Sequence, residues 1–246
     1  MIEIRNLCKN YGDLAAVRDL SLHVPSGELF CFLGPNGAGK TTTIKMLTGL
    51  LRPTSGTAAI NGIDVHKNPV EAKKCIGYVP DMPFLYERLT ATEFYLFTGH
   101  LYDVPREEMR AELESSFSLF GLQEQANTLV KDLSHGMRQR LIYASTFLHK
   151  PNVMFIDEPL IGLDPYTIRL LKDLLVKKAR SGMCIFLTTH ILVLAEDIAD
   201  RIGIILEGRL VALGSLQELL SQRGAGENLE EVFLDLTRQA QRNAED

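Results

Sequence analysis

The run "GPNGAGKTT", from Gly34 to Thr42, has the residue types and the spacing to hold phosphate. It fits G-x-x-x-x-G-K-[ST], follows an apolar run at 29 to 33 and opens a helical pattern reaching Gly49, the context this motif requires. Gly34, Pro35, Asn36, Gly37, Ala38 and Gly39 make the loop, whose glycines let backbone N–H groups wrap a β-phosphate. Lys40 then reaches the β- and γ-phosphates, the Thr41 hydroxyl can ligate Mg2+, and Thr42 closes the motif.

Three further groups offer matching chemistry. In "VMFIDEP", Val153 to Pro159, an apolar run delivers Asp157 and Glu158 at its end. Asp157 suits a direct or water-mediated contact to Mg2+, and Glu158 could orient and activate an attacking water. Alone, an Asp-Glu pair reads as a solvated loop; after a buried strand and beside a phosphate loop it reads as a site. His190 ends "CIFLTTH" at the corresponding edge, where a donor could hold a γ-phosphate and the water, although a lone His there also suits simple packing. In "DLSHGMRQRL", Ser134 is a good N-cap residue and Gly136 follows it, so the helix start doubles as an anion site. Tyr11 has no partner that spacing reveals.

The elements that must position these residues follow from periodicity. Continuous apolar runs at 29 to 33, 76 to 80, 153 to 157 and 184 to 190 read as parallel strands buried on both faces, so the class is α/β. Residues 2 to 24 and 57 to 62 alternate as half-exposed antiparallel strands do, and "RIGIILEGRLVALG" reads as a hairpin turning at Glu207-Gly208. From about residue 88 to 150 the strand signal gives way to helices, a helical insertion into the α/β core. Thr90-x-x-Glu93 is a capping box, Val104-Pro105 breaks the first helix, Gly121 closes the second and Lys150-Pro151 ends the one begun at Ser134. Helices are expected from Ser215-x-x-Glu218 and after Asn228, with "RQAQRNAED" as a frayed polar tail.

Composition excludes several classes. The 246 residues are 46% hydrophobic and 23% charged, enough for a sizeable core. A net charge of -5 without a basic stripe argues against nucleic acid as a partner. "MIEIRNLCKNYG" lacks the pattern of a signal peptide and no apolar run approaches a membrane span, so a cytosolic protein is expected. Cys8, Cys31, Cys75 and Cys184 are too dispersed for a metal or disulfide framework.

Tyr11, "GPNGAGKTT", "LSHGMRQR", "VMFIDEP", "LIGLDP" (Leu160 to Pro165) and "LTTHIL" stand in the order and spacing of the ATP-binding subunits of ATP-binding-cassette (ABC) transporters, which the chain resembles over almost its whole length. "GMRQR" and "NLEEVFLDLT" resemble the single-domain subunits that serve exporters. The resemblance implies a P-loop NTPase core with a mainly parallel sheet, an antiparallel β subdomain and the inserted helices, spanning residues 1–220, followed by a C-terminal helix and tail at 221–246. It further implies that two subunits, a homodimer as the expected case, pair head to tail around two ATP and Mg2+. Ser134, His135, Gly136 and Met137 would then meet the γ-phosphate held by the other copy's Lys40, with Tyr11 stacked on adenine and Asp164 near the dimer axis. The work would drive a separate membrane-embedded permease, placing the chain on the cytoplasmic face of the membrane. A regulatory or scaffolding ATPase uncoupled from transport is the alternative. His135 and Met137 depart from the family's usual glycine and glutamine, and Asp81 in "YVPDMPF" replaces a glutamine that touches Mg2+ and water; Asp81 either keeps an oxygen ligand there or caps the turn with Pro83.

Overall fold

Alternating and continuous apolar runs sort into two sheets. The computed structural model describes residues 1–82, 84–160, 163–221 and 228–245, with side chains through Gln239. The alternating segments form an antiparallel sheet ordered β2-β1-β4-β5, from β1 (Ile2–Tyr11), β2 (Leu14–Val24), β4 (Ser55–Ile60) and β5 (Ile63–Asp64). Leu20, Leu22 and Val24 of β2 point inward at every second position, as one buried face demands.

The continuous runs form the second sheet, ordered β10-β9-β3-β8-β7-β6. Its members are β3 (Leu29–Leu33), β6 (Ile76–Val79), β7 (Val153–Asp157), β8 (Cys184–Thr189), β9 (Arg201–Leu206) and β10 (Arg209–Gly214). All pairings are parallel except the β9–β10 hairpin. β3, β7 and β8 are buried along their whole length because both faces are covered. Phe30, Phe32, Phe155 and Phe186 pack on the side of the antiparallel sheet and helix α1 (Lys40–Leu47). Leu33, Ile156 and Leu187 pack on the other side, in a core shared with the helical insertion.

The insertion holds α3 (Ala91–Leu101), α4 (Arg106–Leu119), a single turn of 3-10 helix at Val130–Asp132 and α5 (His135–Phe147). Thr90 and Glu93 cap each other as expected, and Pro105 stands at the N-cap of α4. α3 stops three residues before Val104 because Tyr102 and Val104 turn back to the Gly99 carbonyl and Asp103 takes a positive φ of 56°. Beyond the insertion lie α6 (Pro165–Arg180), α7 (Leu192–Ile198), α8 (Leu216–Ser221) and α9 (Leu229–Glu245). Neither the 3-10 turn nor the short α2 (Pro69–Lys74) was signalled by periodicity.

The tail is the clearest departure from expectation. Helix α9 takes in "RQAQRNAE" instead of fraying, because Leu229, Val232, Phe233 and Leu236 make an apolar stripe that docks on the core and carries the polar residues along. Ile161 and Gly162 of "LIGLDP", and the Pro83 of the alternative role for Asp81, lie outside the described residues. All four cysteines are free thiols, Cys31 and Cys184 buried and Cys8 and Cys75 half-buried. Among the described residues no helix is long and apolar enough to cross a membrane.

Candidate active site

The phosphate loop hangs from the C-terminal end of β3, tied to its neighbour by the Gly34 amide, which donates to the Thr189 carbonyl at 3.2 Å. It is squeezed between β9 and β2. A Cβ on Gly34 would come 2.4 Å from the Ile205 carbonyl oxygen, and one on Gly39 would come 2.5 Å from that of Ala16. Gly39, at φ 107°, is the N-cap of α1; no side chain caps that end and no acidic residue sits in its first turn. The first N–H groups of α1 therefore point at solvent with the positive end of the macrodipole, an open anion site.

Lys40 is 6% exposed and its ammonium donates to the carbonyls of Gly34 at 2.7 Å and Pro35 at 3.2 Å. It also lies 3.4 Å from Glu158 Oε1. The other oxygen of Glu158 meets His190 Nδ1 at 3.0 Å, so one carboxylate bridges the loop lysine and the histidine. Glu158 reaches this place through a sharp turn after β7: its φ is 50°, and its amide donates to the Thr188 carbonyl at 3.1 Å. Such a backbone costs free energy for a non-glycine residue, and here it turns the Glu158 carboxylate toward Lys40 and His190. Asp157 is buried, with the Thr188 hydroxyl donating to its Oδ1 and leaving the second oxygen for another partner.

Asp81 follows β6 and lines the same cleft. Burial, together with the carboxylates of Asp157 and Glu158, pushes its pKa above the usual range, and the rings of His135 and His190 only moderate this. Among the described residues no three carboxylate, histidine or cysteine side chains converge on one point as a metal cage. Clustered carboxylate and hydroxyl oxygens short of a full cage nevertheless fit Mg2+, which takes one or two protein oxygens and completes its shell with phosphate and water. Thr41, at the exposed start of α1, adds the hydroxyl.

The cleft, about 290 Å3, is lined by Tyr11, Leu14, Ala16, Asn36, Gly37, Gly39, Lys40, Thr41, Thr42, Asp81 and Glu158. Tyr11 is half-exposed at its mouth, with Lys9 Nζ 5.2 Å from the ring centre. Pro35 is exposed and Ala38 buried. Ser134, His135, Gly136 and Met137 are elsewhere: they form the start of α5 and do not line this cleft. Ser134 caps its own helix, accepting from the Met137 amide at 3.3 Å. Asp164 is likewise an N-cap, its carboxylate accepting from the Thr167 amide at 3.0 Å and hydroxyl at 2.6 Å, which lowers its pKa.

Sequence reasoning missed Thr188, which fixes Asp157, and Leu14 and Ala16, which wall the cleft beside Tyr11. The doubled threonine of "LTTH", polar at the end of a buried strand, was a signal for Thr188. Leu14 is 66% exposed at the cleft, an apolar side chain that alternation alone leaves unexplained.

Comparison with known proteins adds a consistent result. Residues 17–161 match the family described as ABC transporter. The chain is 35% identical to the linearmycin resistance ATP-binding protein LnrL of Bacillus subtilis over 91% of this chain and 72% of that one. Among solved structures it is similar to an ATP-binding subunit of an ABC transporter, with a TM-score of 0.92 and 33% identity over 96% of this chain and 99% of that one. It is also similar to a dimeric ATP-binding cassette in a post-hydrolysis state bound to ADP and Pi, with a TM-score of 0.80 and 25% identity over 88% of this chain and 99% of that one.

Proposed function

The chain belongs to the ABC transporter family and is an ATP-hydrolysing, transport-coupled ATPase; from that premise we propose that it closes head to tail with a second copy around two ATP and Mg2+ and drives a separate permease for export. The backbone amides of residues 34–39 and the start of α1 wrap the β-phosphate, and Lys40 exchanges its Glu158 partner for the γ-phosphate. Thr41, Asp157 and Asp81 would hold Mg2+, which when bound neutralises charge on the β- and γ-phosphates. Glu158, aimed by its turn and by His190, orients the attacking water and takes its proton, while His190 also donates toward the γ-phosphate. Tyr11 at the cleft mouth stacks on adenine.

One observation carries the dimer: the phosphate loop and the start of α5 are both built for anions, yet Ser134 to Met137 lie outside the cleft that holds Lys40. Each copy therefore supplies half of two sites, with Ser134, His135, Gly136 and Met137 facing the other copy's γ-phosphate and Asp164, at the start of α6, near the axis. The permease would dock on the cytoplasmic side at a groove lined by Tyr78, Met82, Phe84, Phe94, Tyr102 and Ile142, where Met82 and Phe84 are 86% and 91% exposed. The export direction draws on LnrL, whose name records linearmycin resistance.

Mixing two inactive variants tests the composite site. Gly136→Asp sets a carboxylate against the γ-phosphate, and Lys40→Ala removes charge from the loop. In a mixed dimer one site carries both defects and the other neither. Turnover that reappears on mixing is the expected result; full activity of Gly136→Asp alone would remove the sandwich.

A further inference from the structure

We infer that Arg138 is a positioning residue that ties the loop following β6 to the anion-binding start of α5, an inference resting on the reading that Ser134 and Gly136 meet the other copy's γ-phosphate. Arg138 sits one turn into α5, its amide donating to the Ser134 carbonyl at 2.9 Å. Its side chain runs back toward the helix start. Nη2 donates to the Lys131 carbonyl at 2.7 Å and Nε donates to the Leu133 carbonyl at 3.1 Å. These are the last carbonyls before Ser134 on either side of Asp132, so the guanidinium fixes the direction from which the chain enters the helix.

The remaining arm of the fork reaches another segment. Nη1 lies 3.5 Å from Glu87 Oε1, in the stretch that carries Asp81, Met82 and Phe84 at its beginning. Backbone bonds reinforce the link: Val130 N donates to Leu89 O at 2.8 Å, and Lys131 N to Glu87 O at 3.2 Å. Thr90 and Leu129 form an isolated bridge beside them. Backbone bonds thus join residues 87–90 to the approach to Ser134, with Arg138 as the side chain that joins both to α5. The Glu87 carboxylate is 63% exposed, so its ion pair is the weak arm. The two carbonyl bonds, made by a charged donor of fixed planar shape, are the strong ones, and lysine lacks the planar fork that makes them together with the Glu87 pair.

The test uses the full chain in a Glu158→Gln background, where ATP is held without turnover. ATP affinity of the single chain is read with a fluorescent ATP analogue, and the ATP-driven dimer constant by sedimentation. Arg138→Ala is expected to keep the first within about twofold and to weaken the second by about tenfold or more, the size of a lost charge-assisted contact. Arg138→Lys should recover part of the loss and Glu87→Gln should show a smaller one. A dimer constant unchanged in folded Arg138→Ala, or single-chain ATP affinity falling in parallel with it, overturns the inference. Gly136→Asp, measured alongside, separates the two readings: if it too dimerises normally the sandwich itself fails, and if it alone fails to dimerise only the role of Arg138 is lost. Should Arg138→Ala not fold, the same comparison on Arg138→Lys and Glu87→Gln decides.

Discussion

Glu158 touches both Lys40 and His190, and that double contact sets what its removal does. Glu158→Gln should lower kcat by about a hundredfold or more, the usual worth of a general base. It should also raise the affinity of the single chain for ATP, because the carboxylate that competes with the γ-phosphate for Lys40 is gone; equilibrium binding of ATP against ADP measures this, and an unchanged ratio would sink the competition argument. Asp81 offers a pH readout. Its folded pKa is raised, so the folded chain holds that proton more tightly than the unfolded one, and the residue costs stability above the raised value and nothing below both. In nucleotide-free, chelator-treated protein, Asp81→Gln should raise Tm slightly at neutral pH, with the gain fading as pH falls. The same change should increase the Mg2+ concentration that half-saturates ATPase activity; superimposable titrations would mean Asp81 is not at the metal. The lysine, the carboxylates and the histidine were legible because each ends a recognisable run. The Glu158–Lys40 contact was not, since it depends on β8 lying between β3 and β7, which no local pattern states.

Among the elements, the β9–β10 hairpin does more than reverse the chain. Glu207 and Gly208 take φ values of 47° and 77°, the positive pair of a tight two-residue turn, and "EG" announced it in the sequence. Hidden from sequence was the clasp it makes: Gly208 N donates to Ala38 O at 3.0 Å, and its carbonyl accepts from Arg18 N at 2.7 Å. A Cβ there would lie 2.8 Å from the Ala16 carbonyl oxygen in a backbone region unfavourable to side chains. Gly208→Ala should therefore cost about 1–3 kcal/mol of stability by urea unfolding and weaken ATP binding with it, because the phosphate loop loses its brace. Thr90→Ala, far from that loop, should cost about 1 kcal/mol through the lost capping box and leave ATP affinity alone. Capping boxes and strands were readable because they are local; the helical state of the tail was not, because it depends on a core surface for Leu229 and Val232 to cover.

At the scale of the whole molecule, the proposed function gives two surfaces to other chains: the groove under Met82 and Phe84, and the exposed start of α5. Changing both groove residues to serine should leave ATP hydrolysis by the isolated chain within about twofold, as neither touches the cleft, while abolishing recovery of the chain with a membrane partner. Retained membrane recovery would place the docking face elsewhere. Motifs suggested both proposed half-sites, but their separation within one chain could be seen only once α5 was placed outside the cleft. That separation has a kinetic consequence. On the head-to-tail reading proposed above, hydrolysis needs a pair, so at dilute concentration the rate is expected to grow with the square of the amount present and each molecule to work faster in company. A permease holding two copies within a few nanometres replaces that search with a fixed effective concentration. On that reading unassembled copies spend little ATP, and consumption stays where the cargo is.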